Sequence, residues 1–247
     1  KALRVNLSDL AAMGARASHY LLALVRPARL DDAGLEAMAA GLKADQAAYG
    51  VGLLGGDTVS TPGPLVLSIT ALGRVPPGAA LTRAGAGPGE DVWVSGTLGD
   101  AALGLAVLRG GWAPPEDDAA ALVNRYRLPQ PRLVLGERLR GLATGCQDVS
   151  DGLIQDLGHV AAHSGVAVTV EAAAVPLSAA ARDAPDARTS ALTGGDDYEL
   201  AFTAPVDRRL QIQALARALD LPLTRIGRTA GGSGVVVLDE AGAPLTL

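Results

Sequence analysis

Leu3, Leu7, Leu10 and Ala11 recur at the three-to-four-residue interval of a helix, and Gly14 supplies its stop. Asn6 and Asp9 lie one turn apart on another face of that helix. The run His19–Val25 reads as a strand that ends at Pro27. Asp31 and Asp32 can cap a second helix, with Leu35, Met38, Leu42 and Tyr49 as its apolar stripe and Gly50 as its end. A short apolar run, Val51–Leu54, is broken by Gly55-Gly56-Asp57, and Thr58–Pro64 is expected to be a loop before a strand at Leu65–Leu72. Helix–strand–helix–strand–strand makes a small α/β half.

Pro76-Pro77-Gly78 is the natural linker. It divides the chain into an N-terminal half, 1–75, and a C-terminal half, 76–247. In the second half, strands are expected at Val92–Val94, before Asp148, at Val166–Val170, Tyr198–Thr203, Leu223–Ile226 and Val235–Leu238. Helices are expected at Ala101–Leu108, Asp117–Tyr126, Arg132–Leu142, from about Gly152 to His163, and at Arg208–Leu219. The fold class is therefore α/β (or α+β) in two halves.

Composition narrows the function. At 247 residues, 49% hydrophobic and 19% charged, the chain has the makings of a folded protein with a large aliphatic core, since aromatics are only 3%. Lys and Arg total 21 against 26 Asp and Glu, a net charge of −5, and no basic run occurs; nucleic acid is a poor expectation. One cysteine, Cys146, excludes an intrachain disulfide and a multi-cysteine metal site. No apolar run is long enough to span a membrane, and a cytoplasmic location is expected. Only Lys1 and Lys43 are lysines, so phosphate chemistry would fall to arginine, backbone N–H groups or metal ions.

The recurring chemical feature is an aspartate beside glycine at the end of an apolar run. It occurs in Gly55-Gly56-Asp57-Thr58, Gly99-Asp100, Asp148-Val149-Ser150-Asp151-Gly152 and Gly194-Gly195-Asp196-Asp197, with Asp9 in Asn6-Leu7-Ser8-Asp9. Any one of these alone is explained by turn formation or helix capping. Together, carboxylates at element ends of an α/β fold tend to converge on one crevice, where their mutual repulsion calls for a counterion. Magnesium meets that need by bridging one or two carboxylates to substrate phosphates, and neighbouring glycines let a polyphosphate approach the backbone. Competing motifs fail. Gly85-Ala86-Gly87-Pro88-Gly89 precedes its strand, unlike a dinucleotide loop, and no Gly-Lys-Ser/Thr is present. His159 and His163 lack the metalloprotease glutamate and read as solvated, and Cys146 reads as a packing residue.

The segments Asn6–Ala15, Gly55–Thr58, Leu81-Thr82-Arg83, Asp148–Leu153 and Gly194–Leu200 resemble, in order, the thiamine-monophosphate kinase family. That family belongs with aminoimidazole ribonucleotide synthetase, selenophosphate synthetase and a hydrogenase maturation factor, all two-domain ATP-binding folds. The resemblance implies ATP-dependent phosphorylation of thiamine monophosphate to thiamine diphosphate by direct transfer, with Mg2+ as cofactor and a homodimer as the assembly. It implies magnesium ligands at Asp9, Asp57, Asp148 and Asp151, ATP contacts at Gly56, Asp57, Arg83 and Ser150, and a substrate contact at Asp196, where the family usually has glutamate. It also implies an N-terminal half that is incomplete in this sequence, without the family's Gly-Asp-Asp and Asp-Thr metal motifs, and without its aromatic C-terminal stretch. Two other readings stay open: a different acceptor within the superfamily, or a non-catalytic nucleotide-binding or dimerisation module. No catalytic side chain beyond positioning groups is expected, because a phosphate acceptor with a second pKa of about 6 is already largely dianionic.

Overall fold

The computed structural model describes residues 1–246 and contains two sheets. The first half runs α1 (Ala2–Ala12), β1 (Arg16–Pro27), α2 (Asp32–Tyr49), β2 (Gly52–Thr61) and β3 (Val66–Arg74). Strand β1 is central, parallel to β2 and antiparallel to β3. Asp31 caps α2 by accepting the Gly34 N–H, and Gly50 ends it in the left-handed conformation. Tyr20 and Leu24, on the inner face of β1, are buried, with Leu3 and Leu7 of α1 completing a small core around Tyr20. The outer face, with Leu21, Val59, Val66 and Leu72, is open to solvent.

One expectation is corrected here. Gly55-Gly56-Asp57 does not break a strand, and Thr58–Thr61 is not loop; β2 continues through both, with Gly56 opposite Leu22 and Asp57 opposite Ala23. Gly56 is required by close approach, not by a turn, because a Cβ there would run into the Leu22 carbonyl. A register shift at Tyr20/Leu21 accompanies that crowding.

The second half contains β4 (Asp91–Ser95), α3 (Asp100–Leu108), α4 (Glu116–Arg127), α5 (Leu133–Leu139), β5 (Gly145–Asp148), α6 (Leu153–Ser164), β6 (Val166–Glu171), α7 (Ala187–Thr193), β7 (Leu200–Ala204), α8 (Arg209–Leu219), β8 (Leu223–Gly231) and β9 (Gly234–Leu238). The sheet order is β5-β7-β4-β8-β6-β9, antiparallel throughout except for the β6–β9 pair. One core includes Val92 and Val94 of β4 and Leu153, Leu157 and Val160 of α6; another includes Trp93, Phe202, Leu135, Leu139 and Ile212. Helix α7 was not legible, since Ala187-Arg188-Thr189-Ser190-Ala191-Leu192-Thr193 is short and weakly apolar, yet Ala187, Ala191 and Leu192 are buried. The two-half α/β architecture holds.

Helix α1 wedges between the halves. Its Leu3 and Leu7 belong to the small core, whereas Ala11 and Ala12 pack with α5 residues Leu135 and Leu139. The contact is close: a Cβ on Gly136 of α5 would meet the Ala11 carbonyl. This wedge carries Ser8 and Asp9 to the end of β5.

Candidate active site

Three segments meet at the wedge: the α1 turn at Ser8-Asp9, the loop Leu81–Arg83 and the end of β5. The loop is held by the Leu81 N–H donating to the Met13 carbonyl at 3.1 Å and by the Cys146 N–H donating to the Thr82 carbonyl at 2.9 Å. Together they enclose a cavity of about 250 Å3, lined by Asp9, Met13, Arg83, Gln147 and Asp148 among others. A larger cavity of about 560 Å3, with Arg16, Tyr49, Arg132 and Leu133 in its wall, carries none of the residues singled out in the sequence. Its size alone assigns it no chemistry.

The electrostatics of the smaller cavity are those of crowded carboxylates. Burial pushes the Asp148 carboxyl up to about 6; the Ser8 hydroxyl, donating at 2.6 Å, opposes that, while Asp9 and Asp156 add to it. Burial also raises Asp9, with Arg83 drawing it back down. The Tyr198 hydroxyl is raised by burial and then by the fields of Asp196, Asp148 and Asp9. Cys146 is buried and its thiol is raised by burial, so it packs as expected.

The flanking loops are locked together. Asp156, fully buried in the first turn of α6, accepts the N–H groups of Ser150, Asp151 and Gly152 at 3.0–3.1 Å and the Gln147 side-chain amide at 3.0 Å. The Asp196 N–H donates to the Ser150 carbonyl at 2.9 Å, the Tyr198 N–H to the Val149 carbonyl at 2.8 Å, and the Val149 N–H to the Glu199 carbonyl at 2.8 Å. Those bonds hold Asp196 (φ 72°) and Tyr198 (φ 53°) in the left-handed region, which costs non-glycine residues about 1–3 kcal/mol each. Between them Asp197 turns inward and accepts the Gly99 and Ala101 N–H groups at 2.6 and 3.1 Å, at the start of α3; burial pushes it up to about 7. Asp100 does not cap that helix; it accepts the Thr97 and Ser178 hydroxyls instead.

Glu199, fully buried, closes the arrangement. It accepts from Ser95 Oγ at 2.5 Å, Arg125 at 2.9 Å and the Arg132 fork at 2.7 and 2.5 Å.

Of the residues singled out in the sequence, the structure gathers Asp9, Arg83 and Asp148 in the cavity, with Asp196 beside it. Ser150 and Asp151 lie on the adjoining loop, where Asp151 is exposed and meets Gln155 at 3.3 Å. Asp57 is not gathered: it lies opposite Ala23 on the open face of the small sheet, the face turned away from α1. Gly56 is beside it on the same strand. Among the described residues, no three His, Cys, Asp or Glu side chains cluster as a metal cage. Two carboxylates raised by burial, with one partnering hydroxyl, still fit the way magnesium is held, because that ion keeps most of its ligands as water and substrate phosphate. The roles of Asp156, Asp197 and Glu199 were not assigned from the sequence, although Asp197 stands in the Gly194-Gly195-Asp196-Asp197 cluster and Glu199 in the Gly194–Leu200 segment.

Asp156→Ala is expected to remove the acceptor shared by three N–H donors and release the 150–152 loop. Nucleotide affinity should fall at least tenfold, and hydrogen exchange at Ser150–Gly152 should quicken. Unchanged exchange there would refute the locking role.

Comparison with known proteins agrees with this layout. The AIR synthase related protein N-terminal domain matches residues 1–75, and the AIR synthase related protein C-terminal domain matches 87–240. The chain is 41% identical over 242 residues to the thiamine-monophosphate kinase of Caulobacter vibrioides, covering 95% of this chain and 68% of that one. The crystal structure of thiamine-monophosphate kinase from Stenotrophomonas maltophilia superposes with a TM-score of 0.90 at 50% identity, covering 95% of this chain and 76% of the other. A structure of AaThiL complexed with AMPPCP and TMP superposes with a TM-score of 0.87 at 30% identity, covering 99% and 76%. With both halves matched in order and identity sustained along the chain, this protein belongs to the thiamine-monophosphate kinase family.

Proposed function

We propose that the chain transfers the γ-phosphoryl group of ATP directly to the phosphate of thiamine monophosphate, releasing ADP and thiamine diphosphate. The observation that carries this reading is the pairing of Asp9 with Asp148 beside Arg83 in one cavity, next to the locked Asp148–Gly152 and Gly194–Glu199 loops. A phosphate oxygen of the acceptor attacks the γ-phosphorus as the bond to the β–γ bridging oxygen breaks, and the bridging oxygen leaves on ADP. The acceptor is already largely dianionic, so no side chain need remove a proton. The barrier is repulsion between two polyanions, and the protein's task is to position them and neutralise charge.

Asp9, Asp148 and Asp151 would hold magnesium, which supplies that neutralisation when bound. Arg83 would neutralise a nucleotide phosphate, with Ser150 contacting ATP. Asp196, paired with the Lys1 ammonium at 2.9 Å and the Tyr198 hydroxyl at 3.1 Å, would contact the thiamine substrate. The proposed roles of Gly56 and Asp57 as nucleotide and magnesium contacts rest on assembly. Asp57's face of the small sheet exposes Leu21, Val59, Val66 and Leu72, and we propose that a homodimer covers it. No helix among the described residues is long and apolar enough to cross a membrane, and ATP chemistry with a buried free thiol supports a cytoplasmic location.

ADP release followed with thiamine monophosphate, aminoimidazole precursors and selenide as acceptors tests the reading. Turnover is expected only with thiamine monophosphate and magnesium, and calorimetry should show nucleotide affinity falling at least a hundredfold in EDTA. Nucleotide binding that survives EDTA unchanged would remove the metal from the site, and binding without ADP release would make the chain a nucleotide-binding module.

A further inference from the structure

Arginines also gather at the start of β4, the opposite end of that strand from Ser95. Arg209, Arg225 and Arg228 line a cavity of about 480 Å3 with Asp91, Thr169 and Thr229. Asp91 is 2% exposed, and its carboxylate is already satisfied by the Arg209 fork at 2.5 and 2.7 Å. Arg225 stands back, at 3.9 Å from Asp91 and 3.7 Å from Glu171, with no hydrogen bond to either. Arg228 has no ion pair or hydrogen bond from its guanidinium among the described residues. Three guanidiniums against two carboxylates leave the cleft positive in a protein whose net charge is −5.

The backbone is shaped to put these side chains together. Residues three apart on a regular strand point to opposite faces. Here Val92 pairs with Gly227 and Trp93 with Arg225, so Ile226 is an extra residue and the bulge turns Arg225 and Arg228 toward the same cavity. Arg209 at the start of α8 and Val206 in the turn before it open on the cavity as well, adding the positive end of a helix.

A second observation is independent of charge. Arg209 and Arg225 are shared with an adjoining cavity of about 400 Å3 that also has Trp93, Gln213 and Leu223 in its wall. Trp93 is 4% exposed, and its indole N–H is buried with no hydrogen-bond partner among the described residues. That donor is shut off from the cavity, so what Trp93 offers a ligand there is ring surface beside Leu223.

We propose that this cleft binds the phosphate or diphosphate group of a small molecule, at a site separate from the Asp9–Asp148 cavity. Arg225 and Arg228 grip the oxyanion, and the Trp93–Leu223 wall holds what is attached to it. The test is a titration of inorganic phosphate and of pyrophosphate in EDTA, read by fluorescence in a Trp112→Phe background where Trp93 is the remaining indole. Pyrophosphate is expected to bind with a Kd below about 1 mM and to change the Trp93 emission. Affinity should fall tenfold or more in Arg225→Gln/Arg228→Gln, and measurably in Arg228→Gln alone, a change that removes no ion pair or hydrogen bond among the described residues. Magnesium-dependent nucleotide binding should be unchanged in both variants. No binding below about 10 mM, or equal affinity in the double variant, overturns the proposal.

Discussion

Asp148→Asn is expected to lower kcat/KM about a thousandfold, equivalent to roughly 4 kcal/mol of lost transition-state stabilisation. Asparagine has nearly the same shape, and its side-chain oxygen can still accept the Ser8 hydroxyl that now donates at 2.6 Å. What it cannot do is supply a negative charge to a cation shared with Asp9. The loss should therefore appear as magnesium dependence: a higher metal concentration for half-maximal rate and a lower kcat at saturation. Because asparagine carries no charge into a site whose burial raises the Asp148 carboxyl, the denaturation midpoint at pH 7 should be no lower than the parent protein's. A variant that turns over at the parental rate would remove Asp148 from the chemistry, and one that is inactive because it unfolds would make Asp148 a structural residue.

Glu199→Gln should act in the opposite way, on stability first. The carboxylate is fully buried and faces Arg125 and Arg132, whose side chains keep about a fifth of their surface in water. Removing one partner of a buried ion cluster commonly costs about 3–5 kcal/mol. That residual exposure argues for the lower figure, about 3 kcal/mol, or roughly 6–12 °C in Tm for a chain of this size. Thermal melts would measure it directly. Glu199→Leu combined with Arg125→Met and Arg132→Met should recover most of the loss, because a matched apolar set no longer strands a charge. If Glu199→Gln melts with the parent protein, the cluster is not what holds β4, α4 and β7 together.

Much of this was readable from local chemistry. Asp31 and Gly50 mark the ends of α2 because capping and left-handed termination depend on single residue types. Asp9, Asp148 and Asp196 stood out for the same local reason: aspartate beside glycine or serine at the end of an apolar run. That rule misread the backbone around Asp57, which continues a strand where a turn was expected, because Gly56 answers to the Leu22 carbonyl on another strand. Glu199 stands in the Gly194–Leu200 segment, but nothing there announced its role. Its partners Ser95, Arg125 and Arg132 lie 67 to 104 residues away in the chain, and nothing local marks a glutamate as the hub of two arginines. The strand expected at Leu223–Ile226 stops short of Arg228, and no local pattern announces the extra Ile226 that brings Arg225 and Arg228 to one side.

The placement of β4 in the large sheet also bears on how the chain comes to be made. Its two neighbours are β7 and β8, so both of its edges wait for segments synthesised more than a hundred residues later. At a translation rate of about 5–20 residues per second, the apolar stretch Val92-Trp93-Val94 leaves the ribosome roughly 5–20 s before Leu200–Ala204 can join it. During that interval the nascent chain presents a ready template for intermolecular strand pairing. Yield in a fast-translating host should therefore depend on chaperone supply and on growth temperature more steeply than the finished protein's resistance to heat would suggest.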